Sequence, residues 1–120
     1  MNKKTLVLGA SENPERYSHK AILKLTQYGH TVEAVGNKTG EVNKIKIQTG
    51  QPEVSGVHTV TLYLGPANQT GIIDYVLKLK PKRIIFNPGT ENPDFERQAQ
   101  AQGIETVEGC TLVMLSTNQF

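Results

Sequence analysis

The residues best equipped for chemistry sit just after the first apolar run: Gly9, Ala10, Ser11, Asn13, Pro14, Arg16 and Ser18. Glycine lets a backbone approach a ligand closely. Serine hydroxyls donate hydrogen bonds, and an arginine fork grips a phosphate through two parallel ones. At the start of a helix such a set would join free backbone N–H groups and the positive end of the helix dipole. That combination suits a phosphate or diphosphate. Three later stretches also place a glycine among loop residues: Gly36, Asn37 and Lys38; Leu64, Gly65, Pro66 and Ala67; and Asn87, Pro88, Gly89 and Thr90. One glycine turn is ordinary, whereas four on one rim would outline a groove for a nucleotide-like small molecule. The competing reading of residues 9–18 is an ordinary long connection with a surface arginine.

The first loop departs from the dinucleotide fingerprint G-x-G-x-x-G, because Ser11 and Pro14 stand at the second and third glycine positions. No acidic residue follows the second strand to hold a ribose diol; Asn37 and Lys38 are there instead. A lysine at that point favours a phosphorylated ribose, so plain NAD is disfavoured. His19 follows the opening of the first helix and is placed to face the groove, while His30 and His58 flank strands as surface or partly packed residues. Neither His-Glu-x-x-His nor Cys-x-x-Cys occurs, and no metal site is expected. Glu12, Glu15 and Glu91 lie in polar loops and are assigned no role.

Apolar spacing supplies the elements that must position these residues. Thr5 to Leu8 is a continuous run suited to a strand covered on both faces. Ser18 is expected to cap the first helix, whose stripe is Ala21, Ile22, Leu25 and Tyr28, with Gly29 as its left-handed stop. Residues 31–35 form the second strand. Ile45 and Ile47 alternate with lysines, as in an edge strand, and no full helix fits between these two strands. Residues 57–64 read as a strand and 68–80 as a helix with Ile72, Ile73, Val76 and Leu77 inside, ended by Pro81. Residues 83–86 are another buried strand. Asn87, Pro88 and Gly89 suit a turn, and Asn92 and Pro93 open a helix that runs to Gly103. A short strand over 104–107 follows, and 111–115 fits either a strand or a helical turn. The alternation predicts an α/β fold: three layers, Rossmann-like and doubly wound, with a mainly parallel sheet of five to six strands and strand one central.

At 120 residues, one domain over 1–120 is expected. Thirteen basic and eleven acidic side chains leave a net charge of +2, too balanced for a nucleic-acid partner. No run approaches the roughly 20 apolar residues of a membrane span. A single cysteine, Cys110, excludes an internal disulfide and points to a reducing compartment, so a cytoplasmic location is expected.

The pattern of Gly9, Ala10, Ser11, Pro14, Arg16 and Ser18 closely resembles the opening motif of the coenzyme A-binding domain family. That family comprises single-domain relatives of the N-terminal domain of the succinyl-CoA synthetase alpha subunit. The stretches from Phe86 to Asn92 and from Gly109 to Leu115 are similar to its later motifs, so the resemblance spans essentially the whole chain. It implies a Rossmann-like fold and coenzyme A or an acyl-CoA as ligand. Ser11, Asn13, Pro14 and Arg16 would hold the phosphates, and Lys38 would meet the ribose 3′-phosphate or the adenine side. Leu64, Gly65 and Pro66 would flank the adenosine or diphosphate, and Asn87, Pro88 and Gly89 would follow the pantetheine arm. The family often has Val-Asn-Pro after strand two, where this chain has Val35, Gly36, Asn37 and Lys38. The ligase domain with the phosphorylated histidine has no counterpart here, so binding carries over and ligase activity does not.

Cys110 is a weak catalytic candidate that could exchange with the coenzyme thiol or accept an acyl group if its pKa were lowered. The bland reading is an inert, packed cysteine. The function carried forward is a non-catalytic or regulatory module that binds coenzyme A or an acyl-CoA at the carboxyl edge of the sheet. Two readings stand beside it: a small NADP-dependent or acyl-CoA-handling enzyme, and an interaction subunit with a decayed nucleotide site. A protein partner or a homo-oligomer is compatible with all three.

Overall fold

In the computed structural model, which describes all residues 1–120, one seven-stranded sheet carries the chain. The strands are β1 (Thr5–Leu8), β2 (Val32–Val35), β3 (Gly40–Val42), β4 (Ile45–Gln48), β5 (Thr59–Leu62), β6 (Arg83–Phe86) and β7 (Glu105–Glu108). Their order is β3-β4-β2-β1-β5-β6-β7, and every pairing is parallel except β3 with β4. The α/β reading and the central place of β1 hold, but the sheet is larger than five to six strands. The helices are α1 (Tyr17–Gln27), α2 (Ile73–Leu79), α3 (Pro93–Ala101) and α4 (Thr111–Ser116). None is long and apolar enough to cross a membrane.

Strand alternation divides the core between the two faces of the sheet. Leu6, Leu8, Val60, Leu62, Ile84 and Phe86 join Val76 and Leu77 of α2 and Phe95 and Ala99 of α3. Phe86 and Phe95 meet edge to face with ring centres 5.3 Å apart, the geometry that ring quadrupoles favour. On the other face Val7, Ala34 and Ile47 join Ile22 and Leu25 of α1 and Leu115 of α4. Tyr28 does not complete the α1 stripe: it is exposed and sits at the C-cap, and Gly29 follows at φ +85°.

The connection from β2 to β4 holds no helix. It runs out to β3, which is the true edge, and returns as β4, so Ile45 and Ile47 lie on an inner strand. Asn43 and Lys44 both take positive φ, 46° and 69°, as a two-residue hairpin turn of the primed type requires. The helix expected over 68–80 is shorter, because Pro66–Asn68 forms a separate 3₁₀ turn and α2 starts only at Ile73. Val76 and Leu77 are buried and Ile72 and Ile73 half-buried. Residues 111–115 are helical, within α4.

The N-terminal edge of the sheet gathers positive charge around two imidazoles. His30 accepts the Lys3 N–H through Nδ1 at 2.9 Å, so its protonation would remove that acceptor. Burial, then Lys3 and Arg83, lower its pKa from 6.5; burial, then Arg83, Lys3 and Lys82, do the same for His58, against Glu105. The unfolded chain therefore takes up protons first, and stability falls as pH drops through about 6.5 toward the folded values. Thermal melts are expected to show a falling Tm from pH 7.5 to 5, and a His30→Gln/His58→Gln variant should flatten that slope. An unchanged slope would assign the acid sensitivity elsewhere.

Candidate functional site

Four loops leave the carboxyl ends of β2, β1, β5 and β6, which are neighbours in that order, so all four emerge at one rim. Adjacent loops touch. The Val35 carbonyl accepts both the Gly9 and the Ala10 N–H at 2.9 Å, and the Tyr63 N–H donates to the Leu8 carbonyl at 2.9 Å. A Cβ on residue 36 would overlap the Ala10 carbonyl oxygen, so only glycine admits this approach. At Gly9, φ is +91° and a Cβ would stand 3.0 Å from the Tyr63 carbonyl carbon. A Cβ on Gly65 would lie 4.0 Å from the Gly89 carbonyl oxygen, so the third and fourth loops adjoin as well.

Between the β1 and β2 loops lies a cavity of about 390 Å³, lined by Ala10, Ser11, Glu12, Asn13, Arg16, Asn37, Lys38, Thr39 and Ile47. The first loop is wound tightly by its own groups. Ser11 Oγ accepts the Asn13 N–H, Asn13 Oδ1 accepts the Glu15 N–H, both at 3.0 Å, and the Arg16 N–H donates to the Asn13 carbonyl. His19 Nδ1 stands 3.1 Å from the Ser11 carbonyl, which sets the ring against the loop. Arg16 occupies the N-cap of α1, and no side chain caps that helix. Its first-turn N–H groups thus lack side-chain acceptors where the dipole favours an anion. Ser18 is therefore not the cap. It lies in the first turn and is buried, because the helix begins a residue earlier and turns that position inward. Arg16 and Lys38 are exposed, and neither belongs to the two ion pairs of the chain, Lys4–Glu33 and Arg97–Asp94. Two cations without intramolecular partners thus face one cavity, an arrangement that fits a phosphate-bearing ligand.

The other predicted residues reach the rim but do not line this cavity. Pro66 opens the 3₁₀ turn beside Leu64 and Gly65. Gln69, fully buried, donates to the Leu64 and Thr90 carbonyls at 2.8 Å and accepts from Asn92 at 2.9 Å, tying the β5 and β6 loops together. Asn87, Pro88, Gly89 and Thr90 form a turn closed by the Thr90 N–H on the Asn87 carbonyl at 2.9 Å, with Gly89 at φ +92°. Pro88 and Gly89 are exposed, whereas the Asn87 side chain is buried and committed. It donates to Thr61 Oγ1 at 2.7 Å and to the Leu62 carbonyl at 2.9 Å, and accepts the Thr111 N–H at 2.9 Å. Thr111 in turn meets Thr61, hydroxyl to hydroxyl, at 2.8 Å.

Cys110 is half-buried at the N-cap of α4, with a free thiol. The nearby Tyr63 hydroxyl is buried without a hydrogen-bond partner, and burial pushes its pKa up to about 12. A phenol in that state is no base at neutral pH and does not activate the thiol. No cluster of three or more His, Cys, Asp or Glu side chains is arranged to hold a metal ion. Sequence reasoning missed Glu12, Thr39, Ile47 and Gln69. Glu12 reaches 29 residues along the chain, where its Oε2 accepts the Glu41 N–H at 2.8 Å, and no local spacing announces that bond.

The chain matches the family described as CoA binding domain over residues 3–116. The crystal structure of an uncharacterized protein superposes with a TM-score of 0.97 at 50% identity, covering 100% of this chain and 99% of the other. A hypothetical protein from Pyrococcus horikoshii OT3 gives 0.87 at 24% identity, covering 97% and 83%. The dinucleotide forming acetyl-coenzyme A synthetase 1 of Ca. Korarchaeum cryptofilum, in complex with phosphate and ADP, gives 0.71 at 19% identity. In that case 90% of this chain aligns with 26% of the synthetase, a likeness of fold. No curated protein matches.

The Asn87 network predicts a large effect away from the cavity. Asn87→Ala leaves the Thr111 N–H and the Leu62 carbonyl buried without their side-chain partner, and should lower stability by about 2–4 kcal/mol. Urea denaturation would read this loss. Loosening of α4 should also speed the reaction of Cys110 with a thiol reagent. A loss under about 0.5 kcal/mol would show that Asn87 does not anchor α4.

Proposed function

The chain belongs to the CoA-binding domain family, and from that membership we propose that it binds coenzyme A or an acyl-CoA by its phosphates at the carboxyl rim of the sheet, as a non-catalytic or regulatory module. The observation that carries this reading is Arg16: exposed, unpaired, and at the start of an uncapped eleven-residue helix whose dipole adds to its charge. Lys38 across the same cavity supplies a second cation, suited to a ribose 3′-phosphate, and Asn37 adds amide donors.

In this reading the diphosphate lies against the first loop, at Gly9, Ala10, Ser11, Asn13, Pro14 and Arg16. Leu64, Gly65 and Pro66 flank the adenosine or diphosphate. Exposed Pro88 and Gly89 give the pantetheine arm a path along the fourth loop. Asn87 contributes by fixing that turn, since its amide is already bonded within the protein. Ser18, turned inward, contributes through its backbone rather than its hydroxyl.

A ligand that binds only the folded state raises Tm, by about 2.7 kcal/mol of added stability at a hundredfold excess over Kd. Coenzyme A and acetyl-CoA are expected to give such a rise, and NAD(H) and NADP(H) to give none. Arg16→Ala removes a charged, bidentate contact and should weaken coenzyme A binding by roughly 10- to 100-fold, abolishing most of the rise. If millimolar coenzyme A leaves the melting curve where it was, the proposal is wrong. A shift with NADPH alone would replace it with a reductase.

A further inference from the structure

Glu12 supplies a carboxylate to the same cavity, and its position carries an inference that rests on the reading above. In dinucleotide-binding folds an acidic residue after the second strand holds the ribose hydroxyls. Here Gly36, Asn37 and Lys38 occupy that stretch. The carboxylate arrives instead from the β1 loop. Glu12 lies over the start of β3, where Oε2 accepts the Glu41 N–H at 2.8 Å. A Cβ on Gly40 would meet its Cγ at 2.6 Å and its Oε1 at 2.8 Å, so the absence of a side chain at residue 40 is what seats it. Oε1 makes no hydrogen bond within the protein, and Glu12 forms no ion pair with Arg16 or Lys38, which line the cavity with it.

One carboxylate oxygen is thus fixed by the backbone, and the other is an acceptor without a donor in the protein, on a side chain that lines the cavity. An anionic acceptor repels phosphate and attracts an N–H or O–H group. We infer that Glu12 is a ligand-reading residue: its Oε1 accepts a hydrogen bond from the nucleoside part of the ligand, a sugar hydroxyl or the exocyclic amine of adenine. This orients the ligand. The diphosphate lies at the Arg16 end, against α1, and the nucleoside with its 3′-phosphate lies toward Lys38 and the β3–β4 hairpin.

Two substitutions separate reading from bracing. Glu12→Gln keeps a carbonyl oxygen for the Glu41 N–H but presents an NH₂ where Oε1 stood. Gly40→Ala keeps the charge and displaces the side chain. Each is titrated calorimetrically with coenzyme A, adenosine 3′,5′-bisphosphate, its 2′-deoxy and inosine counterparts, and inorganic pyrophosphate, after its Tm has been measured. Glu12→Gln is expected to weaken both adenosine ligands by about tenfold or more, while pyrophosphate binds as well or better once a negative charge is gone. Gly40→Ala should weaken the adenosine ligands similarly, and it supplies the answer if Glu12→Gln fails to fold.

The analogue that wild-type protein binds more weakly, and Glu12→Gln does not distinguish, identifies the donor. If neither analogue shows a loss that depends on Glu12, the inference is overturned. It is also overturned if both variants bind coenzyme A as the wild type does, a result that leaves the coenzyme A reading standing. A wild-type chain that binds none of the nucleotides defeats both.

Discussion

The Ala10 carbonyl oxygen occupies the space that a side chain at residue 36 would need, and the candidate site depends on that encounter. Because residue 36 is glycine, the β1 and β2 loops press backbone to backbone, and the Val35 carbonyl takes two N–H groups from the turn at Gly9 and Ala10. The first loop cannot lean back over the sheet. It must travel outward and coil on itself through Ser11 and Asn13 before α1 begins, leaving Arg16 at the helix entrance. A sterically forced turn thus leaves the guanidinium at the helix entrance, outside both ion pairs of the chain.

The rim has two halves of different character. Around Arg16 and Lys38 the polar groups are exposed, and the side-chain bonds of the first loop are local except for Glu12 to Glu41. Around Asn87 and Gln69 the amides are buried and reach across the fold, to Thr61, Leu62 and Thr111 in one case and to Leu64, Thr90 and Asn92 in the other. Satisfied buried networks of this kind rigidify their surroundings. α4 has six residues, too few to persist as a helix alone, and it stays in place through Leu115 and the Asn87–Thr111 bond. The stitched half holds the loops in register, and the open half is free to meet a ligand.

Strands buried on both faces were readable because nothing interrupts their apolar runs: Leu6 to Leu8 and Ile84 to Phe86 need no partner to be recognised. The turn at Asn87 and the cap at Asn92 were equally plain, since proline and glycine fix their dihedrals locally. Features set by distant partners were not. The hairpin at Asn43 and Lys44 has no glycine, so its two left-handed residues carry no strong mark, and the alternating lysines of β4 imitated an outer strand. Gln69 reads as the polar start of a helix because Thr90 and Asn92, which hold it inside, lie more than twenty residues away. Within the cavity, Arg16 and Lys38 were legible as cations near glycines. Glu12 was not, because what places it is a gap at residue 40.

The replacement of a helical crossover by the β3–β4 hairpin also decides where the structure can yield. The parallel strands β1, β2, β5 and β6 are locked between two cores, but the three-residue β3 beside the cavity is held only by its pairing with β4, the buried Val42 and the Glu12–Glu41 bond. Local opening concentrates where few contacts must break. The margin of the sheet is therefore the part that yields first, with the central parallel strands undisturbed.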